Sequence, residues 1–215
     1  MSMSNKMYDV RRDHSLNELI IKNNENPVLE IKHWLEEALS NNLQDANAMV
    51  LSTVDINNCP SSRIVLARDI DSEGITFYTN YNSDKAKDID NNPNVSANFY
   101  WKELDRQIKI KGIVKKVSEE VSDNYFASRP RESQIGAWAS DQSQKVNNYD
   151  QILDQFKNEK ARFEGKEIHR PPHWGGYIIE PFQIQFWKGK PSRLHENICF
   201  EKNSLGKWGN FFMNP

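Results

Sequence analysis

The sequence predicts an antiparallel β-barrel with flanking helices, a mostly β or α+β fold. Short β-rich segments follow one another with turn-forming residues between them, which is typical of antiparallel strands. Their number favours closure into a barrel, because closure removes the exposed edges of a sheet. Residues 118–164 have a helical period instead, which adds helices to the sheet. No glycine-rich phosphate motif follows a strand, so neither a Rossmann site nor a P-loop is indicated.

The N-terminal part of the chain predicts an arm followed by a helix. Residues 1–25 are polar and aperiodic, so we expect a mobile arm before a single domain over residues 26–215. Asn26 and Pro27 predict the start of a helix, since asparagine caps the first turn and proline is tolerated there. Apolar residues then recur at helical spacing. They are Ile31, Trp34, Leu35, Ala38 and Leu39.

The rest of the chain divides into strands and helices. The turn residues Asn57-Asn58 and the segment 71–74 predict hairpins among the first three strands. The predicted strands are Ala48–Val54, Ser62–Ile70, Ile75–Thr79, Val95–Trp101, Arg106–Val117, Gly176–Ile179, Gln183–Trp187 and Ile198–Glu201. The predicted helices behind the first one are Ser83–Asn91, Glu119–Ser128, Ser133–Ser140 and Tyr149–Phe163.

Composition excludes several classes of protein. The 215 residues carry a formal charge of −2, whereas a nucleic-acid binder has a basic face. The longest aliphatic run, Ile64–Ala67, is far shorter than the roughly 20 residues of a membrane helix. Residues 1–13 contain no apolar segment like that of a signal peptide. We therefore expect a cytoplasmic protein with no nucleic-acid or membrane partner.

Neither the cysteines nor the histidines predict a metal site or a disulfide. Cys59 and Cys199 are far apart and lack a second cysteine at ligand spacing, so we expect free thiols in a reducing compartment. The segment His169–His173 lacks the carboxylate or cysteine neighbours of a zinc site, and its prolines predict a rigid connector.

Arg63, Arg68 and Lys85 form the first candidate anion site. The two arginines flank the apolar part of one predicted strand, and alternation would place them on opposite faces unless a bulge or the strand end intervenes. Lys85 lies at the start of the next helix, where free N–H groups favour an anion. The alternative interpretation is two surface arginines at strand ends.

A second candidate site surrounds a helix junction. Tyr125 and Arg129 are four residues apart and can share a helix face, and Ser133 lies near the start of the next helix. A phenol, a guanidinium and a hydroxyl at such a junction can hold a phosphate. The alternative is a helix cap with a surface ion pair between Arg131 and Glu132.

Arg193 and His195 form the third candidate, close in sequence to the aromatic Trp187. Residues two apart on a strand face the same side, which suits an anionic or aromatic ligand. The alternative is an Arg-x-His pair with a structural role only.

Taken in order, several segments make the sequence resemble the pyridoxamine 5'-phosphate oxidase family. They are Arg63–Leu66, Phe77–Asn80, Ser128–Trp138, Pro172–Gly176, Phe186-Trp187 and Arg193–His195. The run R-P-R-E-S-Q-I-G-A-W is the most specific, because chance motifs do not recur in order with several others. The resemblance extends from about Val28 to His195. It implies a split β-barrel that binds FMN and works as a homodimer, with two flavin sites at the subunit interface.

The resemblance also implies roles for single residues. Arg63 and Lys85 would hold the FMN phosphate, and Gln107 and Trp187 would meet the flavin ring. The implied FMN contacts are Arg63, Ile64, Val65, Leu66, Ala67, Arg68, Tyr78, Thr79, Lys85, Gln107, Trp187 and Asn197, with Gln142 and Ser143 reaching over from the partner subunit. The implied substrate contacts are Arg11, His14, Arg68, Tyr125, Arg129, Ser133, Arg193, Leu194 and His195, the first two from an arm that closes over substrate.

The implied reaction is the oxidation of pyridoxamine or pyridoxine 5'-phosphate to pyridoxal 5'-phosphate, in vitamin B6 metabolism. In the family, a hydride passes from the C4′ carbon to flavin N5. Oxygen then reoxidises the flavin and gives hydrogen peroxide, and the amine substrate releases ammonia. The cofactor supplies the redox chemistry, while the protein supplies position and electrostatics. Arg193 would be an electrostatic anchor and His195 a hydrogen-bonding orienter.

The sequence departs from the family pattern at a few positions. Arg68 replaces a lysine, Asp84 stands where the family has an arginine, and Asn197 replaces an arginine that touches the flavin. The chain ends in Phe212–Pro215 instead of Arg-Leu-x-Pro. We expect weaker FMN binding as a result. Two other interpretations remain open: a flavin oxidase of the phenazine-biosynthesis type with a tricyclic substrate, and a non-catalytic binder of flavin or pyridoxal phosphate.

Overall fold

The computed structural model of the chain describes His14 and residues 17–215, and it is an antiparallel sheet flanked by helices. The helices are α1 (Pro27–Ser40), α2 (Asp84–Asn91), α3 (Glu119–Ser128), α4 (Arg131–Ala139) and α5 (Tyr149–Arg162). The strands are β1 (Ala48–Val54), β2 (Pro60–Leu66), β3 (Asp69–Ile70), β4 (Ile75–Asn80), β5 (Asn94–Trp101), β6 (Arg106–Lys116), β7 (Trp174–Lys188), β8 (Glu196–Lys202) and β9 (Trp208–Phe212). Within the described residues no helix is long and apolar enough to cross a membrane.

The sheet curls around one main core. Its strands run in the order β2-β1-β5-β6-β7-β4-β3. On the edge of β7 opposite β6, β4 pairs with the first half of the strand and β8 with the second half, and β8 also pairs with β9. The pair β6–β7 changes register between Lys111 and Gly112, opposite Pro181. A side chain at Gly112 would meet the carbonyl oxygen of Glu180 at 2.7 Å, so only glycine fits there. Such a bulge bends and twists both strands and helps the sheet curl.

Helix α1 closes one side of the barrel. Its N-cap is Asn26, whose side chain accepts a hydrogen bond from the Val28 backbone N–H. The buried Trp34 packs edge-on against Phe186 of β7 at 5.1 Å, and the Arg106 guanidinium lies 4.5 Å above the Trp34 ring. The helix therefore anchors to the sheet by burying one apolar stripe.

A second, smaller core lies beneath α3 and α4. Phe126 and Ile135 from the two helices pack with Trp174 at the start of β7 and with Phe163, which directly follows α5. This cluster fixes the α3–α4 junction against the end of the sheet, where the second candidate anion site was expected.

Most predicted elements are confirmed, with differences at three places. The predicted strand Ser62–Ile70 is interrupted at Arg68, whose backbone N–H donates to the Thr76 carbonyl at 2.8 Å. The two strands predicted within residues 176–187 are one strand, β7, because a bulge accommodates Pro181 inside it. Strand β9 was not predicted, since its residues, mostly exposed, show no alternation of buried and exposed positions.

Candidate active site

A cavity of about 780 Å³ opens between β2, β4, α2 and the α3–α4 junction. This size is typical of a site for a small molecule or cofactor. The sequence-predicted residues that line it are Arg63, Ile64, Val65, Leu66, Arg68, Tyr78, Thr79, Lys85, Tyr125, Arg129, Ser133, Gln142 and Ser143. The structure therefore brings the first two candidate anion sites together in one cavity. Ala67 is buried and does not line it.

Lys85 provides a buried cation at one end of the cavity. Its Nζ donates to Thr79 Oγ1 at 3.2 Å, to Ser83 Oγ at 3.2 Å and to Gln142 Oε1 at 3.1 Å. Burial lowers the pKa of Lys85, and the nearby Arg63 lowers it further. Because its hydrogen-bond partners are neutral, the ammonium charge remains available to an anion.

Arg63 lies on β2 next to Lys85. Its Nη1 donates to Thr53 Oγ1 at 2.6 Å and to the Leu51 carbonyl at 3.3 Å, and its Nη2 donates to Ser61 Oγ at 2.9 Å. Burial lowers the pKa of Arg63, while Asp88 partly offsets that effect. A fixed guanidinium beside an ammonium is a suitable receptor for a phosphate.

Asp84, the residue expected to repel an anion, faces solvent. It is the first residue of α2, its carboxylate side chain is 67% exposed, and Lys87 Nζ lies 3.6 Å from Oδ1. Its backbone N–H donates to Ser143 Oγ at 3.2 Å. The ion pair with Lys87 and the exposure weaken the effect of this charge. Asp84 nevertheless lines the cavity, and its charge partly offsets the lowering of the pKa of Arg63 and of Lys85 by burial. The weaker FMN binding expected from this residue stays a prediction.

Arg129 provides a second buried cation at the other end. It caps the C-terminus of α3 in an extended conformation, and its guanidinium lies 4.5 Å above the ring of Trp174. Burial lowers the pKa of Arg129. Its Nη1 is buried and has no hydrogen-bond partner among the described residues. A buried donor without a partner is costly, so this atom fits an anionic ligand.

Aromatic rings surround Arg129. Tyr78 of β4 and Tyr125 of α3 stack with their ring centres 3.8 Å apart, and Trp174 lies parallel to both. Burial, together with the neighbouring Tyr125, raises the pKa of Tyr78 to about 12. Tyr78 is therefore a neutral phenol at physiological pH.

The helix junction is built as predicted, but one predicted alternative is wrong. Ser133 is the third residue of α4, and its backbone N–H donates to the Pro130 carbonyl at 2.8 Å. Arg131 does not pair with Glu132: it donates to the carbonyls of Phe163 and Lys166, while Glu132 accepts from Lys160. Arg131 thus ties the junction to the end of α5.

Another group of predicted residues lies away from the cavity. Gln107, Trp187 and Asn197 are neighbours across β6, β7 and β8, and the Trp187 ring lies 4.8 Å from that of His195. None of these residues lines the cavity. Trp187 lies thirteen residues along β7 from Trp174, a contour of about 40 Å at 3.3 Å per residue. One chain therefore carries two separate groups of site residues.

Arg193 ends a turn and His195 lies just before β8, so the two residues do not share a strand as was considered for this pair. The turn Pro191–Arg193 has a positive φ at Ser192 (56°) and at Arg193 (62°), which no strand can contain. The Lys190 backbone N–H donates to His195 Nδ1 at 3.0 Å, so the neutral ring carries its proton on Nε2. Burial lowers the pKa of His195, and His14 and Arg193 lower it further. Leu194 is exposed beside them.

Two described residues of the N-terminal segment, His14 and Leu19, lie beside this second group. His14 Nδ1 lies 2.8 Å from Asp105 Oδ1, and the His14 ring is edge-on to His195 at 5.3 Å and to Trp187 at 5.9 Å. Further along, the Leu19 backbone N–H donates to Glu196. Arg11 lies outside the described residues.

The structure also places two residues that were assigned to the partner subunit and adds residues that sequence reasoning missed. Gln142 and Ser143 line the same cavity as Lys85 of their own chain, and their contact with FMN across the subunit interface stays a prediction. Asn197 is buried and accepts a hydrogen bond from Gln185 Nε2 at 2.7 Å. The missed residues are Thr53, Asp88, Asp105 and Trp174. Only Trp174 had a signal, since it lies within the family segment Pro172–Gly176.

Comparisons with known proteins agree with this arrangement. Residues 35–162 match the family model described as pyridoxamine 5'-phosphate oxidase, and residues 174–215 match the pyridoxine 5'-phosphate oxidase C-terminal dimerisation region. A pyridoxine/pyridoxamine 5'-phosphate oxidase of Leptospira interrogans is 44% identical over 99% of this chain and 100% of its own. One of Microcystis aeruginosa is 43% identical over 93% of this chain and 94% of its own.

Two solved structures share the fold. PhzG from Burkholderia lata, in complex with tetrahydrophenazine-1-carboxylic acid, has a TM-score of 0.86 at 24% identity and covers 94% of this chain and 100% of its own. A pyridoxamine 5'-phosphate oxidase-related, FMN-binding protein from Nostoc punctiforme has a TM-score of 0.69 at 18% identity, over 86% of this chain and 95% of its own. These similarities confirm the predicted split β-barrel.

Proposed function

Because this chain belongs to the pyridoxamine 5'-phosphate oxidase family of oxidoreductases, we propose that it is an FMN-dependent oxidase of pyridoxamine and pyridoxine 5'-phosphates. Its product would be pyridoxal 5'-phosphate, with oxygen as acceptor and hydrogen peroxide as the second product, and with ammonia released from the amine. The proposal requires one cavity that accepts two phosphorylated rings.

The residues around Lys85 fit FMN. A phosphate there would receive the charges of Lys85 and Arg63, together with hydroxyl and amide groups from Thr79, Gln142 and Ser143. FMN, when bound, supplies a flavin ring that accepts a hydride. The protein contributes a fixed phosphate anchor and a cavity that holds the ring.

The observation that carries the substrate assignment is the buried, unpartnered Nη1 of Arg129. Tyr125 and Ser133 line the cavity beside it, so a substrate phosphate would receive a guanidinium and two hydroxyl groups. Arg68 lines the same part of the cavity and adds a second positive charge. An unphosphorylated substrate would leave these donors without a partner, which costs free energy.

The second group of residues would complete the site from another copy of the chain. The dimerisation region covers most of this group, and a homodimer with two-fold symmetry builds each site from both chains. His195 would donate its Nε2–H to the substrate, while Arg193 would place a positive charge near the reacting group. Both orient the substrate and need not remove a proton.

Purified protein tests the proposal directly. We expect a yellow preparation that consumes oxygen when pyridoxamine or pyridoxine 5'-phosphate is added, followed with an oxygen electrode and by the appearance of peroxide. Unphosphorylated pyridoxamine serves as the control and should react far more slowly. Bound flavin without turnover would instead point to a flavin oxidase with another substrate, and a colourless protein holding pyridoxal phosphate would point to a binder.

A further inference from the structure

The Arg63 guanidinium is held by a line of polar groups that runs into the protein interior. Arg63 Nη1 lies 2.6 Å from Thr53 Oγ1, and Thr53 Oγ1 lies 2.6 Å from Asp88 Oδ2. The three residues come from β2, β1 and α2. Thr53 is fully buried and Asp88 is nearly so, with 9% exposed.

The chemistry of the groups fixes the direction of these hydrogen bonds. A guanidinium has donors only, so Thr53 Oγ1 accepts from Arg63. The single hydroxyl proton of Thr53 then goes to the Asp88 carboxylate, which accepts. Because Thr53 is excluded from solvent, water cannot replace it in either bond.

The threonine also keeps the carboxylate away from the arginine. Arg63 Nη2 and Asp88 Oδ2 are 3.8 Å apart, too far for a hydrogen bond. A carboxylate in direct bidentate contact would compete with a phosphate for the same guanidinium. Thr53, Leu51 and Ser61 take three of the Arg63 hydrogen bonds, and the spacing from Asp88 leaves the other donors and much of the positive charge available to the cavity.

We propose that Thr53 is a positioning residue for the phosphate anchor: its hydroxyl, ordered by Asp88, fixes the Arg63 guanidinium where the phosphate of FMN binds. This inference rests on the proposed function, since it assumes that the anion beside Arg63 and Lys85 belongs to FMN. It assigns a role in cofactor affinity to Thr53 and Asp88, two residues that do not line the cavity.

The test compares FMN with riboflavin, which has the same ring and no phosphate. The Thr53→Val variant keeps the shape of the side chain and removes the hydroxyl. We expect FMN to bind at least about tenfold more weakly, the loss associated with a hydrogen bond to a charged group, while riboflavin affinity changes little. Affinities come from quenching of flavin fluorescence in equilibrium titrations of the apoprotein, so the readout does not depend on turnover.

Matched variants make the result specific. Thr53→Ser keeps the hydroxyl and should restore FMN affinity to within about threefold of the wild type. Thr76→Val removes a buried threonine hydroxyl on β4 that bonds to none of these groups and should leave both affinities unchanged.

In an Arg63→Gln background, adding Thr53→Val should cause no further loss of FMN affinity, because the group that Thr53 positions is gone. If Thr53→Val does not fold, Thr53→Cys replaces it, because sulfur is a weak hydrogen-bond acceptor. We expect Thr53→Cys to bind FMN more weakly than the wild type does, while its affinity for riboflavin changes little.

Failure of the inference about Thr53 and failure of the proposed function give different results. Equal losses for FMN and riboflavin in Thr53→Val would show a general structural role and overturn the inference, as would unchanged FMN affinity. If the wild-type apoprotein bound neither flavin, the proposed function itself would be wrong.

Discussion

At the scale of single residues, function in this protein follows from buried charges that the chain leaves without a counter-charge. Lys85 and Arg129 are both half-buried or more, and neither is paired with a carboxylate within the described residues. Burial of a charge is costly unless a partner offsets it. Both cations line one cavity, so an anion that binds there stabilises them, as the two phosphates of the proposed function would.

Removing the Arg129 charge should weaken substrate binding and leave the cofactor in place. For Arg129→Ala we expect KM for pyridoxamine 5'-phosphate to rise about 10- to 100-fold, since one charge-assisted hydrogen bond contributes about 1.5–3 kcal/mol. FMN content should stay unchanged, because in the proposed function Lys85 and Arg63 hold the phosphate of FMN. Steady-state kinetics and the flavin absorbance of the purified variant measure the two effects. A loss of FMN equal to the loss of substrate affinity would contradict the assignment of two separate anchors.

His195 should produce an acid limb in the pH profile. Burial and the neighbouring His14 and Arg193 lower the pKa of His195 below 6.5. Below pH 6.5 the unfolded chain therefore takes up the proton first, and folding stability falls as the pH drops through the lowered pKa. Protonation of Nδ1 also breaks the bond from the Lys190 N–H.

We expect kcat/KM to decline as the pH falls below 6.5 towards the lowered pKa of His195. The decline should disappear in His195→Asn. His33→Gln on α1 is the matched control and should keep it. An identical limb in wild type and His195→Asn would mean that another group titrates.

The sequence predicted the charged residues of the site better than the residues that orient them. Arg63, Lys85, Tyr125, Arg129 and Ser133 were all recognisable, because they belong to family segments and to cation patterns. Thr53 and Asp88 were not, since a threonine in an alternating strand and an aspartate in a polar helix have no distinctive pattern. Their role arises only when β1 and α2 meet.

At the scale of elements, the α3–α4 junction depends on the start of β7. Trp174 packs against Phe126 of α3 and lies beneath the Arg129 guanidinium at 4.5 Å. The strand thus provides an aromatic platform for a helix-capping arginine. A cation above an aromatic face is stabilised by about 0.5–2 kcal/mol, depending on exposure.

Replacing Trp174 should therefore raise KM for phosphorylated substrate by several-fold. We expect Trp174→Leu to lose the platform and Trp174→Phe to recover part of it, because phenylalanine retains a weaker aromatic face. A comparison of KM, kcat and FMN content across the two variants is the measurement. Equal KM values for both variants would show that the aromatic face has no role in holding Arg129.

Gly189, just after β7, leaves room for the arm. A side chain there would overlap the His14 ring, which packs against the Gly189 Cα. We expect Gly189→Ala to displace His14 from Asp105 and to speed hydrogen exchange over residues 17–23, measured by mass spectrometry. Gly209→Ala, at a position with open space around it, is the control and should leave that exchange rate unchanged.

The order of elements was largely predictable, while their continuity was not. Hairpin turns and alternating apolar residues identify β1, β4 and β6. A proline normally ends a strand, so Pro181 split the prediction for β7 into two, and the bulge that accommodates it depends on the partner strand β6. Likewise, positive φ values at Ser192 and Arg193 turn the chain where the Arg193 and His195 pair was considered as part of a strand.

At the scale of the whole molecule, the two groups of site residues lie far apart along β7, which argues for a shared site. The cavity group includes Arg129, and the other group includes Arg193. In a two-fold dimer each site would take the cavity group from one chain and the second group from the other. The sequence alone could not separate the groups, because only the fold shows that they lie at different places along β7.

Mixing two inactive variants tests this architecture. At a substrate concentration far below the raised KM of Arg129→Ala, the Arg129→Ala and Arg193→Ala homodimers should both be nearly inactive. A heterodimer of the two, purified through different tags on each chain, would have one site with both changes and one intact site, so we expect about half of wild-type turnover. A heterodimer of Arg129→Ala with Tyr125→Phe, both in the cavity group, has a change in each site and should show no such recovery. If the Arg129→Ala/Arg193→Ala heterodimer stayed inactive, each chain would have to build its own site, and the division of residues between two subunits would be wrong.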